Sequence, residues 1–139
     1  MSNLRFQPIK GKAREILGAI LNTPEMTSCN NKDFLILRLA CEEIVVNILS
    51  YAYPEDVEGY IDVETVRTDD RIVIRFKDGG VPFNPREHKM PDINQPWEQR
   101  PIGGLGIFLV VKNMDVVHYV YLNNENVLTI EKIISTKTY

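Results

Sequence analysis

Residues 34–53, FLILRLACEEIVVNILSYAY, constrain the fold more than any other stretch of the chain. Most positions are apolar, which predicts a helix that is largely buried rather than an amphipathic surface helix. At about 100° per residue, Glu43 and Asn47 sit one turn apart, on the same side as Ile36 and Ala40. Arg38 and Glu42 point away from that side and can be solvated. An acid and an amide on the inward side of a buried helix are unfavourable unless something there uses them. Either the protein's own backbone satisfies them or a bound group does, and this stretch alone leaves both open.

The remaining bounds come from size and charge. A chain of 139 residues suits one domain with one core. Its net charge of -3 offers no electrostatic case for nucleic acid or an anionic membrane. No apolar run approaches the roughly 20 residues that span a bilayer. The opening MSNLRFQPIKGK lacks the apolar centre of a signal peptide, so the expected location is cytoplasmic. Cys29 and Cys41 have no metal-ligand spacing, and in a cytosolic chain both are expected as free thiols. His88 and His118 stand far apart with no acid or Cys pattern around them.

Along the chain, Leu4, Phe6 and Pro8 alternate with polar residues and predict a short edge strand. Residues 12–21 carry Ala13, Ile16, Leu17 and Ile20 at helical spacing, and Asn22-Thr23-Pro24 stops that helix. Residues 28–33 are rich in capping side chains and start the long helix, which must end by Tyr53 because Pro54 follows. Residues 60–67 and 71–77 each alternate, with Ile61, Val63, Thr65 and then Ile72, Ile74, Phe76 inward, and Thr68-Asp69-Asp70 between them. That is an antiparallel hairpin with one buried face. From 78 to 104 the periodicity vanishes in a long loop dense in Pro and Gly, a length that in a small domain marks function or disorder. A helix over 105–113 and two strands, 116–122 and 127–134, joined by an Asn123-Asn124-Glu125-Asn126 turn, complete the chain. The expected architecture is an α+β two-layer sandwich: a mixed, mostly antiparallel sheet with helices on one face.

Three local features align with these elements. Glu43-Ile-Val-Val-Asn47 lies on the long helix, Asp78-Gly79-Gly80-Val81-Pro82-Phe83 at a strand end, and Gly103-Gly104-Leu105-Gly106-Ile107 at a helix start. In this order they resemble the nucleotide site of the GHKL (Bergerat-fold) ATPases, whose N box and two glycine boxes they match. The small size, Phe83-Asn84-Pro85 and the run from Gly103 to Val110 resemble one branch, the anti-sigma-factor serine/threonine kinases of bacterial partner-switching systems. The resemblance covers most of the chain, from about Leu39 to Lys132.

It implies ATP and Mg²⁺ as cofactors, with Glu43 as the catalytic base and Asn47 as an oxygen ligand for Mg²⁺. It implies that Asp78 reads the adenine amino group, that Gly80 lets the base approach the backbone, and that Phe83 lies by the nucleotide. Gly103, Gly104, Leu105 and Gly106 correspond to the phosphate loop at a helix N-terminus, and Thr129 to a hydroxyl near the adenine. A lid at about residues 84–103 corresponds to the segment that covers the phosphates, with Arg86, Lys89 and Arg100 as candidate contacts and Trp97 as a packing residue. The implied partners are a sigma factor and an anti-anti-sigma (STAS-domain) antagonist, with a homodimer formed through the N-terminal strand and helix. The chain departs from the pattern at Tyr51, where a His is common, and at Gly79 and Asn84. An alternative therefore stands beside the kinase reading: a regulator that binds proteins and whose nucleotide only sets its conformation.

Overall fold

The computed structural model describes residues 1–53, 58–84 and 110–134. Strand β1 (Ser2–Phe6) precedes helices α1 (Ala13–Leu21), α2 (Pro24–Thr27) and α3 (Asn31–Asn47), and a π-helical turn (Ile48–Ala52) follows α3 directly. The hairpin β2 (Ile61–Arg67) and β3 (Arg71–Asp78) comes next, then a helical stretch at residues 110–113, then the hairpin β4 (Val116–Leu122) and β5 (Glu125–Ile133).

The five strands form one sheet in the order β1-β2-β3-β5-β4. Among the described residues all four pairings are antiparallel, where the sequence predicts a mixed, mostly antiparallel sheet. Two of those pairings are hairpins. The β3–β5 pairing sets the end of β3 against the start of β5, with Asp78 directly opposite Asn126. The β4–β5 turn is only two residues long. Asn123 and Asn124 both have positive φ, 55° and 63°, the geometry of a tight hairpin turn that Asn tolerates. Glu125 and Asn126 therefore belong to β5 and not to the turn.

Alternation decides the faces. Ile61, Val63, Thr65, Ile72, Ile74, Phe76, Leu128 and Ile130 are all buried on the side that carries the helices. Ile16 and Ile20 of α1 and Leu37, Cys41, Ile44 and Val45 of α3 pack against them in one core. The α3 N-terminus is capped by Asn30, whose side chain accepts from the Asp33 amide at 2.8 Å and returns a bond to the Asp33 carboxylate at 3.0 Å. Leu35 and Leu39 are 54% and 58% exposed. The helix is thus buried on one side only, because it lies in a single layer over the sheet, and the expectation of a largely buried helix is corrected. The short helix α2, with Pro24 at its first position, was also not expected from the sequence. It begins at Pro24, the last residue of the stretch read there as a stop.

Candidate functional site

Two groups of polar side chains lie on the inward side of this sandwich, one on α3 and one at the end of β3. On α3, Asn47 is 1% exposed, and neither its amide oxygen nor its amide nitrogen has a hydrogen-bond partner. One turn earlier, Oε1 of Glu43 is buried and likewise unpartnered. Burial pushes the Glu43 carboxyl above its usual range, the neighbouring Glu42 adds to that, and the Asn47 amide offsets part of it. Buried polar groups are normally paired, so the first of the two alternatives, satisfaction by the backbone, does not hold for this pair. A hollow of about 340 Å³ opens between α3 and residues 110–114. Among the described residues it is lined by Ile36, Leu39, Ala40, Val110, Asn113 and Met114, with Glu43 as the one charged side chain.

The β3 end is organised in the opposite way. Asp78 is 3% exposed. Its Oδ1 accepts from the Asn126 side-chain amide at 2.9 Å and from the Gly80 backbone amide at 2.9 Å. Burial raises its carboxyl above the usual range; the bonds from Asn126 and Gly80 pull it back, and Glu125 pushes it further up. Asn126 is itself saturated. Its Nδ2 also donates to the Val81 carbonyl at 2.8 Å, while its Oδ1 accepts from the Phe83 amide at 2.9 Å and from the Tyr119 hydroxyl. The 79–83 segment is thereby tied to β5.

The same segment is tied to the end of α3. The Val81 amide donates to the Ala52 carbonyl at 2.9 Å, a carbonyl carried by the π-helical turn. The Tyr53 hydroxyl accepts from the Gly79 amide at 2.9 Å and donates to the Tyr60 carbonyl at 2.8 Å. A Cβ on Gly80 would stand 2.3 Å from the Ala52 oxygen. What approaches Gly80 is the helix end, and the glycine is needed for that seam. Phe83 stacks on Tyr51 with ring centroids 5.0 Å apart and planes 13° apart. The Tyr that stands where the family often has His is thus one side of an aromatic pair at the mouth of the loop.

Of the expected site residues, the fold brings Glu43 and Asn47 together on α3, and gathers Asp78, Gly80 and Phe83 around Asn126. The seam between Val81 and Ala52 joins the two groups. Thr129 is not among them. Leu128 and Ile130 point inward, so Thr129 points to the open face of the sheet, where its hydroxyl accepts from Arg75 at 3.4 Å. That face carries a second hollow of about 340 Å³, among the ion-paired Arg5, Asp62, Glu64 and Arg75. Strand alternation thus separates Thr129 from the Asp78 side chain, and the expectation that it lies near a base bound there is corrected. Gly103, Gly104, Leu105 and Gly106 lie outside the described residues, as do Arg86, Lys89, Trp97, Arg100 and all of the lid but Asn84. Asn126 and Tyr53 are the residues the sequence reading missed. The two-residue Asn-Asn turn, marked by the positive φ of Asn123 and Asn124, sets Asn126 in register with Leu128 and Ile130, on the inward face.

A sheet with helices on one face, a buried carboxylate at a strand end and a buried acid–amide pair on the adjoining helix define the class. The family model of the histidine kinase-like ATPase domain matches residues 9–132, and the chain belongs to that family. Among its relatives are serine-protein kinases RsbW. That of Bacillus mycoides is 35% identical over 96 residues, 66% of this chain and 59% of that protein. That of Listeria monocytogenes is 32% identical over 89 residues, 61% of this chain and 57% of that protein. The matched part thus spans a little under three fifths of these relatives' length.

Proposed function

We propose that the chain binds ATP and transfers its terminal phosphoryl group to a serine or threonine of a small protein, as an anti-sigma-factor kinase. The acceptor is an anti-anti-sigma protein of the STAS type, and a sigma factor is the protein held in the alternate state. The observation that carries the reading is the unpartnered Glu43–Asn47 pair, two buried groups that the protein leaves for a ligand to complete. The names of the relatives, serine-protein kinase, agree with it.

In this reading the acceptor hydroxyl oxygen attacks the terminal phosphorus. The bond from that phosphorus to the bridging oxygen breaks, ADP leaves with the electron pair, and the hydroxyl proton passes to the Glu43 carboxylate. Asn47 suits Mg²⁺, a hard ion that prefers oxygen ligands: its amide oxygen is buried and has no other partner. Bound there, the ion would neutralise charge on the phosphates. Asp78 takes the base amino group and holds the nucleotide in register.

The same reading places the protein in the cytoplasm as a homodimer that pairs through β1, the outermost strand on its side of the sheet. Among the described residues no helix is long and apolar enough to cross a membrane. The test is thermal unfolding with and without Mg·ATP, followed by transfer of labelled phosphate to a STAS-type acceptor. A ligand that binds only the folded state adds about 2.7 kcal/mol at a hundredfold excess over its dissociation constant, a shift of several degrees for a domain of this size. Absence of any shift at millimolar nucleotide overturns the reading.

A further inference from the structure

The two oxygens of Asp78 are not equivalent, and the difference bears on which base the site takes. Oδ1 already accepts from Asn126 Nδ2 and from the Gly80 amide, each at 2.9 Å. Among the described residues no hydrogen bond to Oδ2 is formed. Asn126 cannot turn its amide over. Its oxygen faces the Phe83 N–H at 2.9 Å and its nitrogen faces the Val81 carbonyl at 2.8 Å. These are backbone groups whose polarity is fixed, so they assign the amide's orientation unambiguously. A flipped amide would set a donor against a donor and an acceptor against an acceptor. The polarity therefore runs in one direction, from the 79–83 backbone through Asn126 to position 78.

We propose that Asn126 is the positioning residue that sets base choice: it commits Oδ1 of residue 78 to the protein and leaves the other terminal atom alone to meet the base. With a carboxylate at 78 that atom is an acceptor. The site then takes a purine nucleotide carrying an amino group at C6 and rejects one carrying an oxo group there. This rests on the nucleotide reading given above. It also makes a statement about the amide variant. In Asp78→Asn the oxygen must stay on Asn126 and Gly80, because both present donors, and the NH₂ is driven to the position that faces the base. The variant does not merely lose a 6-amino purine. It acquires a donor suited to a 6-oxo purine.

The experiment titrates the full chain with ADP and with IDP in the absence of magnesium, reading dissociation constants by calorimetry. The unaltered protein is expected to prefer ADP by about tenfold or more, since a site built to pair a polar group rejects the analogue that cannot pair it. Asp78→Asn is expected to reverse the order and prefer IDP by about tenfold. Asn126→Ser, made with Asp78 intact, loosens the position of the carboxylate, so the bond from Oδ2 to the base amino group weakens and the ADP preference narrows severalfold. A ratio of two ligands on one protein is insensitive to a general loss of stability. If Asp78→Asn does not fold, Asn126→Ser decides. Loss of both nucleotides without reversal in Asp78→Asn, or an unchanged ratio in Asn126→Ser, overturns the proposal while the nucleotide reading stands. An unaltered protein that binds neither nucleotide overturns both.

Discussion

Asp78 and Asn126 at the end of β3 and Asn47 on the inward side of α3 are all buried, with Glu43 half-buried beside Asn47, and the two regions are treated in opposite ways. Around Asp78 and Asn126 every amide bond is made: Asn126 uses both donors and receives two, and the Tyr53 hydroxyl fastens the Gly79 amide. Around Asn47 none is, and Glu43 Oε1 is also bare. A saturated buried network rigidifies the fold, whereas an unpaired buried group is a standing destabilisation. In the function proposed above, the first holds one shape before a ligand arrives and the second is left for the ligand to complete. Recognition then falls to a strand end and chemistry to a helix, linked by the Val81–Ala52 hydrogen bond.

The largest effect expected from this contrast is at Glu43. Glu43→Gln removes the proton acceptor, and phosphate transfer should fall by about 10²- to 10⁴-fold. Stability should move the other way. The Glu43 carboxyl is raised in the folded state, chiefly by burial. The folded protein therefore binds that proton more tightly than the unfolded chain does, and this group's contribution falls as pH rises above the unfolded value. At pH 7–8 Glu43→Gln should melt above the unaltered protein, and the gap should close as pH drops toward the ordinary carboxylate range. A Gln variant that melts lower at pH 8 would mean that Glu43 is ionised and paired after all, and the contrast would break at that residue.

Next in size is Asn126→Ala. Four groups lose one hydrogen bond each: the Asp78 carboxylate, which keeps the Gly80 amide, the Val81 carbonyl, the Phe83 amide and the Tyr119 hydroxyl. With some recovered by water, the expected loss is roughly 2–4 kcal/mol, read by denaturant unfolding. A loss under about 1 kcal/mol would show that the loop is not fastened through Asn126 and would remove the distinction between the two regions.

How far the sequence announced these regions follows from what each residue's signal is made of. The α3 pair was legible because an acid and an amide interrupt an apolar run, and helical geometry puts them on one side. The strands were legible because alternation has a period of two and the sheet buries one face. Thr129 obeys that same alternation, outward between Leu128 and Ile130, and the resemblance that assigned it to the base overrode a plain local signal. Asn126 was hidden by composition, since Asn-Asn-Glu-Asn reads as four turn residues. Only the positive φ at Asn123 and Asn124 confines the turn to two residues and turns Asn126 inward. Tyr53 gave no signal at all, because a Tyr near a helix end has one apolar body and one polar tip whatever its task. The need for Gly80 came from a contact 28 positions away in sequence, with Ala52, which no local pattern encodes.

The smallest expected effect is the one that separates the two regions most sharply. Asn47 and Asn126 are the same residue type, 1% and 4% exposed, and burial alone would predict similar losses on truncation. Their bonding predicts otherwise. Asn47→Ala removes two unsatisfied polar atoms together with a small volume. The cavity term opposes the relief from desolvation, so the ligand-free protein should change by less than about 1 kcal/mol in either direction. With Mg·ATP present the gap between Asn47→Ala and the unaltered chain should widen, because the variant forfeits the stabilisation that binding gives the unaltered chain. Unfolding of both Ala variants with and without Mg·ATP reads this directly. If Asn47→Ala destabilises the ligand-free protein as much as Asn126→Ala does, its amide is paired within the fold, and α3 is a satisfied core helix rather than one half of a site.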